Sequence, residues 1–152
     1  MNKTTLTRIL TEHPFFEDLP PEYIDILAGC AKTVQFDPGE YLTREGDDAN
    51  EFFLIRHGDV VIEAAMPGRS NRLIETLNEG HVVGWSWLFE PYRWHFDVRS
   101  ITLVRALSLD ASCLRARCEE DHTLGYMLMK KFSQVMMERL QATRVRALNV
   151  YS

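Results

Sequence analysis

Between Thr33 and Asp110 no apolar run lasts more than a few residues before a turn former interrupts it. The runs TVQF, YLTRE, EFFLIR, VVIEAA, RLIETL and VVG are divided by DPGE, GDDAN, HGD, MPGRSN and NEGH. Turn formers recurring at about eight to twelve residues between short apolar runs describe an antiparallel sandwich, barrel or jelly roll. In DPGE, proline and glycine stand where a tight turn needs them. SITLVRALSLD then resumes alternation and predicts one strand, with Ile101, Leu103, Ala106, Leu107 and Leu109 on its apolar side. This is mainly β structure, and its flanks read differently.

Ahead of the strands, TTLTRILTEHPFFEDLPPEYIDILAGCAK predicts two short helical pieces anchored by Ile9, Leu10, Phe15, Phe16 and Leu19. Pro20 and Pro21 suit the first turn of the second piece, where a missing N–H costs little. Ile24, Leu27 and Ala28 form its face and Gly29 ends it. After Asp110 the chain turns helical again, and no proline follows Pro91. Met129, Met136, Thr143 and Val150 recur every seventh residue, with Leu140 and Ala147 filling the intervening turns. Leu124, Leu128, Phe132 and Val135 make a second stripe roughly opposite. One stripe serves the core. The other, through Met129, Met136, Leu140 and Ala147, calls for a partner, and a second copy of the same helix is the simplest. A single broad core-facing side would absorb both stripes instead. The domain expectation is one unit of 152 residues: helices over 1–32, a jelly roll over 33–110, and C-terminal helices over 111–152.

The densest chemistry lies in GWSWLFEPYRWHF, residues 84–96, which holds all three tryptophans. The order of elements around it, with its glycines, resembles the cyclic nucleotide-binding domain of the catabolite activator protein (Crp/Fnr) superfamily. The matching stretches are HPFFEDLPPEYIDILA, FDPGEYLTREGDDANEFFLIRHGDVVIE and EGHVVG, with Gly39, Gly46, Gly58, Gly80 and Gly84 at that family's turns. The resemblance spans about residues 9 to 148. It implies an antiparallel β jelly roll with N-terminal helices and a long C-terminal helix. It also implies that residues after Gly84 form a short helix and loop cradling a cyclic phosphate.

In that family a glutamate accepts from the ribose hydroxyl, an arginine forks to the phosphate, and helix N–H groups complete the anion site. The implied ligand-binding set here is Val83, Gly84, Trp85, Ser86, Trp87, Leu88, Arg93, Trp94, His95 and Asp97. The chain departs from the family at the chemical positions. Trp85 stands where the glutamate is expected, Trp94 at the arginine, Phe96 at an alanine and Asp97 at a serine or threonine. Arg93 lies one residue early and would serve only if the loop differs in length. Either the aromatics fill the cavity, or they stack on a small planar ligand with Arg93 or His95 as its clamp.

Other classes fare worse. His13, His57, His81, His95 and His122 are scattered without H-x-H or H-E-x-x-H, so each reads as a surface or capping residue. The positions where a cupin would carry metal-binding histidines hold Phe52 and Leu54, and no metal site is expected. Haem would need an axial ligand, with His95 the candidate. No nucleophile elbow or P-loop occurs, so no enzyme is expected. A net charge of −5 argues against a general nucleic-acid field. No DNA-binding domain is expected in this chain, since a helix-turn-helix would have to follow the long helix. Cys30, Cys113 and Cys118 are an odd number with no C-x-x-C, and reduced thiols are the expectation. With no signal peptide or membrane span in view, the expected compartment is the cytoplasm.

These readings converge on a non-catalytic sensory or regulatory module, its candidate ligands a cyclic nucleotide or another small planar molecule, with altered or lost cyclic nucleotide binding. Two alternatives stand beside it: a working cAMP or cGMP receptor domain signalling through its C-terminal helix, and a purely structural protein-interaction dimer. The mechanism implied by the resemblance is two-state, with contacts at 84–97 biasing the exit helix.

Overall fold

The computed structural model describes residues 2–64, 67–68 and 72–151, with side chains described up to Leu148. Most of the expected MPGRSN turn, and the side chain of Val150, therefore fall outside the described residues. The chain forms two compact units, Met1–Ala116 and Arg117–Ser152.

The first unit opens with α1 (Lys3–Glu12), a 3-10 turn (Pro14–Phe16) and α2 (Pro21–Gly29). Asn2 caps α1 by accepting from the Thr5 N–H at 2.9 Å, and Pro21 begins α2 where its missing donor is harmless. Eight strands follow: β1 (Ala31–Phe36), β2 (Tyr41–Thr43), β3 (Glu51–His57), β4 (Val60–Ala64), β5 (Arg72–Leu77), β6 (Val82–Val83), β7 (Asp97–Ser100) and β8 (Val104–Asp110). They pair antiparallel in two four-stranded sheets, ordered β1-β8-β3-β6 and β2-β7-β4-β5. This is the expected jelly roll. Phe53, Ile55, Val60, Ile62, Val98 and Val104 belong to the core cluster. The opposite face of β3 is buried too, since Phe52 and Leu54 have no exposed surface. That double burial explains why FFLI, residues 52–55, reads as an unbroken apolar run and not as an alternation.

SITLVRALSLD is not one strand. It contains the end of β7 and all of β8, which lie in different sheets, and residues 101–103 carry the chain across. The crossing is held by polar contacts that hydrophobic patterning does not reveal. The Ile101 N–H donates to the Asp59 carbonyl at 2.9 Å, and the Asp59 N–H donates to Thr102 Oγ1 at 3.0 Å. Ile101, expected on the apolar side, is 45% exposed as a result. Gly58 sits against this crossing with φ 98°, and a Cβ there would collide with the Leu103 carbonyl.

The cysteine expectation also needs correction, because Cys30 and Cys113 form a disulfide, with Cα atoms 5.9 Å apart. Residues distant in sequence are brought together where β1 pairs with β8, a proximity that spacing along the chain cannot disclose. Cys118 is free.

The second unit contains α4 (His122–Tyr151); α3 (Ala111–Glu120) runs across the boundary between the units. On α4, Leu124, Leu128 and Phe132 are buried, whereas Met129 and Leu140 are 40% and 51% exposed. Val135 and Met136 are half-buried and Ala147 is exposed. No helix among the described residues is long and apolar enough to cross a membrane.

His13 is the buried capping group of the 3-10 turn. Its Nδ1 accepts from the Phe15 N–H at 3.2 Å. That leaves Nε2 as the donor, facing the Ile55 carbonyl at 3.4 Å. Only a neutral ring fills both roles. Burial lowers its pKa from the ordinary 6.5, outweighing the Ile55 hydrogen bond and the Glu79 charge, which raise it; the His81 charge adds to the lowering. The unfolded chain therefore takes up this proton at higher pH than the folded one. The stability contribution is whole above pH 6.5 and is lost as pH falls through the lowered folded value. His13→Asn keeps an acceptor for Phe15 and does not titrate. Urea midpoints at about pH 7.5 and about pH 5.5 should fall more for the wild type than for His13→Asn. Equal falls would remove His13 as the source.

Candidate functional site

β6 delivers the chain to Gly84, whose φ of 96° turns it into a 3-10 turn, Ser86–Leu88. From there residues 89–96 return to β7. What shapes this return is a backbone zipper to the loop between β2 and β3. Gly46 N–H donates to the Trp94 carbonyl and Trp94 N–H to the Asp47 carbonyl, each at 2.9 Å, and Ala49 N–H donates to the Tyr92 carbonyl at 2.7 Å. Such bonds carry no side-chain signature, so the sequence shows GDDAN only as a turn.

The three tryptophans have separate positions. Trp87 is fully buried and stacks on Phe52, ring centroids 4.9 Å apart and planes at 18°. It is a core residue. Trp85 precedes the 3-10 turn and is half-buried. Trp94, 8% exposed, lays its six-membered ring directly on Gly84: a Cβ on that glycine would collide with Cζ3 and Cη2. The absence of a side chain at Gly84 therefore serves both the turn and the indole.

The polar members are committed elsewhere. Arg93 Nη1 meets Asp48 Oδ1 at 2.9 Å and donates to the Gly46 carbonyl at 3.1 Å. Asp97 is 6% exposed and accepts from the Glu45 N–H at 2.8 Å, with Arg44 Nε 3.7 Å away. His95 is exposed, Ser86 and Val83 are buried, and Leu88 is half-buried. Among the described residues no three His, Cys, Asp or Glu converge as metal ligands.

One contributor had no signal in the cassette itself. Arg115, on α3, donates from Nη1 to the Trp87 carbonyl at 2.7 Å. Its guanidinium lies 4.1 Å over the Tyr92 ring. Both ends of the aromatic stretch are thus fastened, one to the β2–β3 loop and one to α3.

Magnitudes decide what can move. The Arg93–Asp48 pair is solvent-exposed on both sides, and such pairs are worth about 0–1 kcal/mol. Removing a buried tryptophan costs about 3–5 kcal/mol. Arg93 is cheap to release and Trp94 is not. Trp94→Gly should lower the thermal midpoint by well over the several degrees that about 1 kcal/mol produces in a domain of this size. Millimolar indole should recover part of that loss by refilling the cavity, while Phe96→Ala, at a residue 43% exposed, should stay near wild type. A Trp94→Gly midpoint equal to wild type would show that the ring fills nothing.

Comparison with known proteins accords with this geometry. Residues 33–121 match the family model described as cyclic nucleotide-binding domain. The chain is 29% identical over 99 residues to human cGMP-dependent protein kinase 2, covering 64% of the chain and 12% of the kinase. It is 25% identical over 138 residues to the CRP-like cAMP-activated global transcriptional regulator of Mycobacterium tuberculosis, covering 91% of the chain and 60% of the regulator. Among solved structures, a cyclic nucleotide-binding domain from Methylobacillus flagellatus superposes with a TM-score of 0.79 at 17% identity, covering 97% of this chain and 83% of that one. The chain thus spans well under two thirds of the kinase and of the regulator.

Proposed function

The chain belongs to the cyclic nucleotide-binding domain family, and from that premise we propose that it is a non-catalytic regulatory module whose cassette is closed by its own side chains. The observation that carries this reading is the Trp94 ring seated on Gly84, at the start of the turn where the family cradles a phosphate. A cyclic phosphate brought there meets an indole in place of a cation. Asp97, a buried acid that would repel a phosphate, stands where the family carries a serine or threonine. Trp85 offers no carboxylate for a ribose hydroxyl. The residues present do not fit the family's ligand in its usual pose.

What the module does is hold a defined state. Arg115 ties Trp87 and Tyr92 to α3, so any change in the cassette reaches the start of the C-terminal helices. A compartment without disulfide-forming machinery, the cytoplasm, is part of this reading. Cyclic AMP should bind with a Kd above about 100 µM, weaker than about −5.5 kcal/mol. Titration calorimetry giving low-micromolar binding that Arg93→Ala abolishes would overturn the closed cassette. It would mean that Arg93 leaves Asp48 and that the indoles receive a base.

Dimerisation completes the proposal. Met129, Leu140 and Leu148, at 40%, 51% and 69% exposure, place apolar surface along α4 together with Met136 and Ala147. A second copy would cover it. Light scattering at tens of micromolar should give a dimer for the wild type, and a monomer for Met136→Glu/Leu140→Glu. A wild-type monomer would end this part of the reading.

A further inference from the structure

The first turn of α3 is pinned from two sides. On one, Cys113 is bonded to Cys30, the residue that ends α2. On the other, Arg115 reaches the Trp87 carbonyl and the Tyr92 ring. Residues two apart on a helix point about 200° from each other, so this turn acts as a spacer between the disulfide and the cassette. Its first N–H, on Ala111, donates to the Asn50 carbonyl at 2.9 Å, next to the loop that zips to residues 92–94.

The two sulfurs do not owe their proximity to the covalent bond. Ala31 pairs with Leu109, and the Asp110 N–H donates to the Cys30 carbonyl at 2.9 Å. Asp110 also caps α3 by accepting from the Cys113 N–H at 2.9 Å. Cleaving the bond leaves both thiols in place to re-form it. The two residues differ in exposure, Cys30 being 8% exposed and Cys113 half-buried. The third thiol does not compete well. Burial pushes the Cys118 pKa up, and the Glu119 and Asp121 charges add to that.

We propose that Cys30–Cys113 is a reversible dithiol–disulfide site whose redox state sets how firmly α3 holds the cassette. A thiolate of a small or protein dithiol attacks Cys113 Sγ, and the S–S bond breaks. The Cys30 thiolate leaves and takes a proton. The second thiol of the reductant then resolves the mixed disulfide. Two electrons and two protons pass to the protein and the reductant is oxidised to its disulfide. Oxidation by a disulfide such as oxidised glutathione runs the same steps backwards. The inference holds whether or not the cassette takes a nucleotide, and its test contains none.

The experiment is hydrogen exchange on the purified chain, equilibrated with dithiothreitol or with oxidised glutathione, with the redox state read by alkylation and mass. Oxidised protein should carry one alkylated cysteine, Cys118, and reduced protein three. Reduction should speed exchange about tenfold at residues 111–116 and at 85–92, with the β1–β8 and β3–β8 ladders unchanged. Cys30→Ser, or Cys113→Ser if the first folds poorly, should show the fast state with either reagent. Cys118→Ser should respond as wild type. Three alkylated cysteines after oxidation would overturn the proposal. So would a change confined to 111–116, because the coupling to the cassette would then be absent.

Discussion

Strand β8 is the constraint on which the remaining structure hangs. It is paired along its length with β1 on one side and β3 on the other. Its Val104 and Ala106 enter the core, while Leu107 and Leu109 are equally buried. A strand closed on both edges and both faces has no cheap way to move, because every displacement breaks hydrogen bonds and exposes apolar area together. Its last residue, Asp110, caps α3 and bonds to Cys30. The rigid part of the fold therefore ends where the contacts to the cassette begin.

Against that fixed frame the cassette is held by many small commitments and one large one. The backbone bonds to residues 46–49, the exposed Arg93–Asp48 pair and the Arg115 contacts are individually modest. Burial of the Trp94 ring is not. A ligand competing for the ground above Gly84 must displace the indole, and that cost is the same whatever the ligand's charge.

The sequence made the frame legible because turns are expressed in residue types. Gly39, Gly46, Gly58, Gly80 and Gly84 all have positive φ, and nearly every expected strand appears within a residue or two of its place. What escaped was specified by backbone groups or by pairing between distant segments. The crossing at 101–103 rests on Asp59, at the end of the HGD turn, and Thr102, and nothing in the apolar pattern links the two. The Cys30–Cys113 bond follows from the β1–β8 register. The candidate cassette was drawn from its aromatic density and from the family resemblance. Its interior arrangement was not, since nothing local distinguishes Trp87, which fills the core, from Trp94, which covers Gly84.

On the proposed reading, Gly84 keeps its turn and takes on a packing role under the Trp94 ring. The left-handed turn alone calls for a glycine there. The bare backbone that lets a charged group approach closely is the same surface on which a flat aromatic ring packs best. An indole at residue 94 therefore uses the glycine for a second purpose without asking the turn to change. On this argument the aromatic stretch is a single packing solution: Trp94 seals the cradle, Trp87 anchors the turn to Phe52, and Tyr92 gives Arg115 a face to hold.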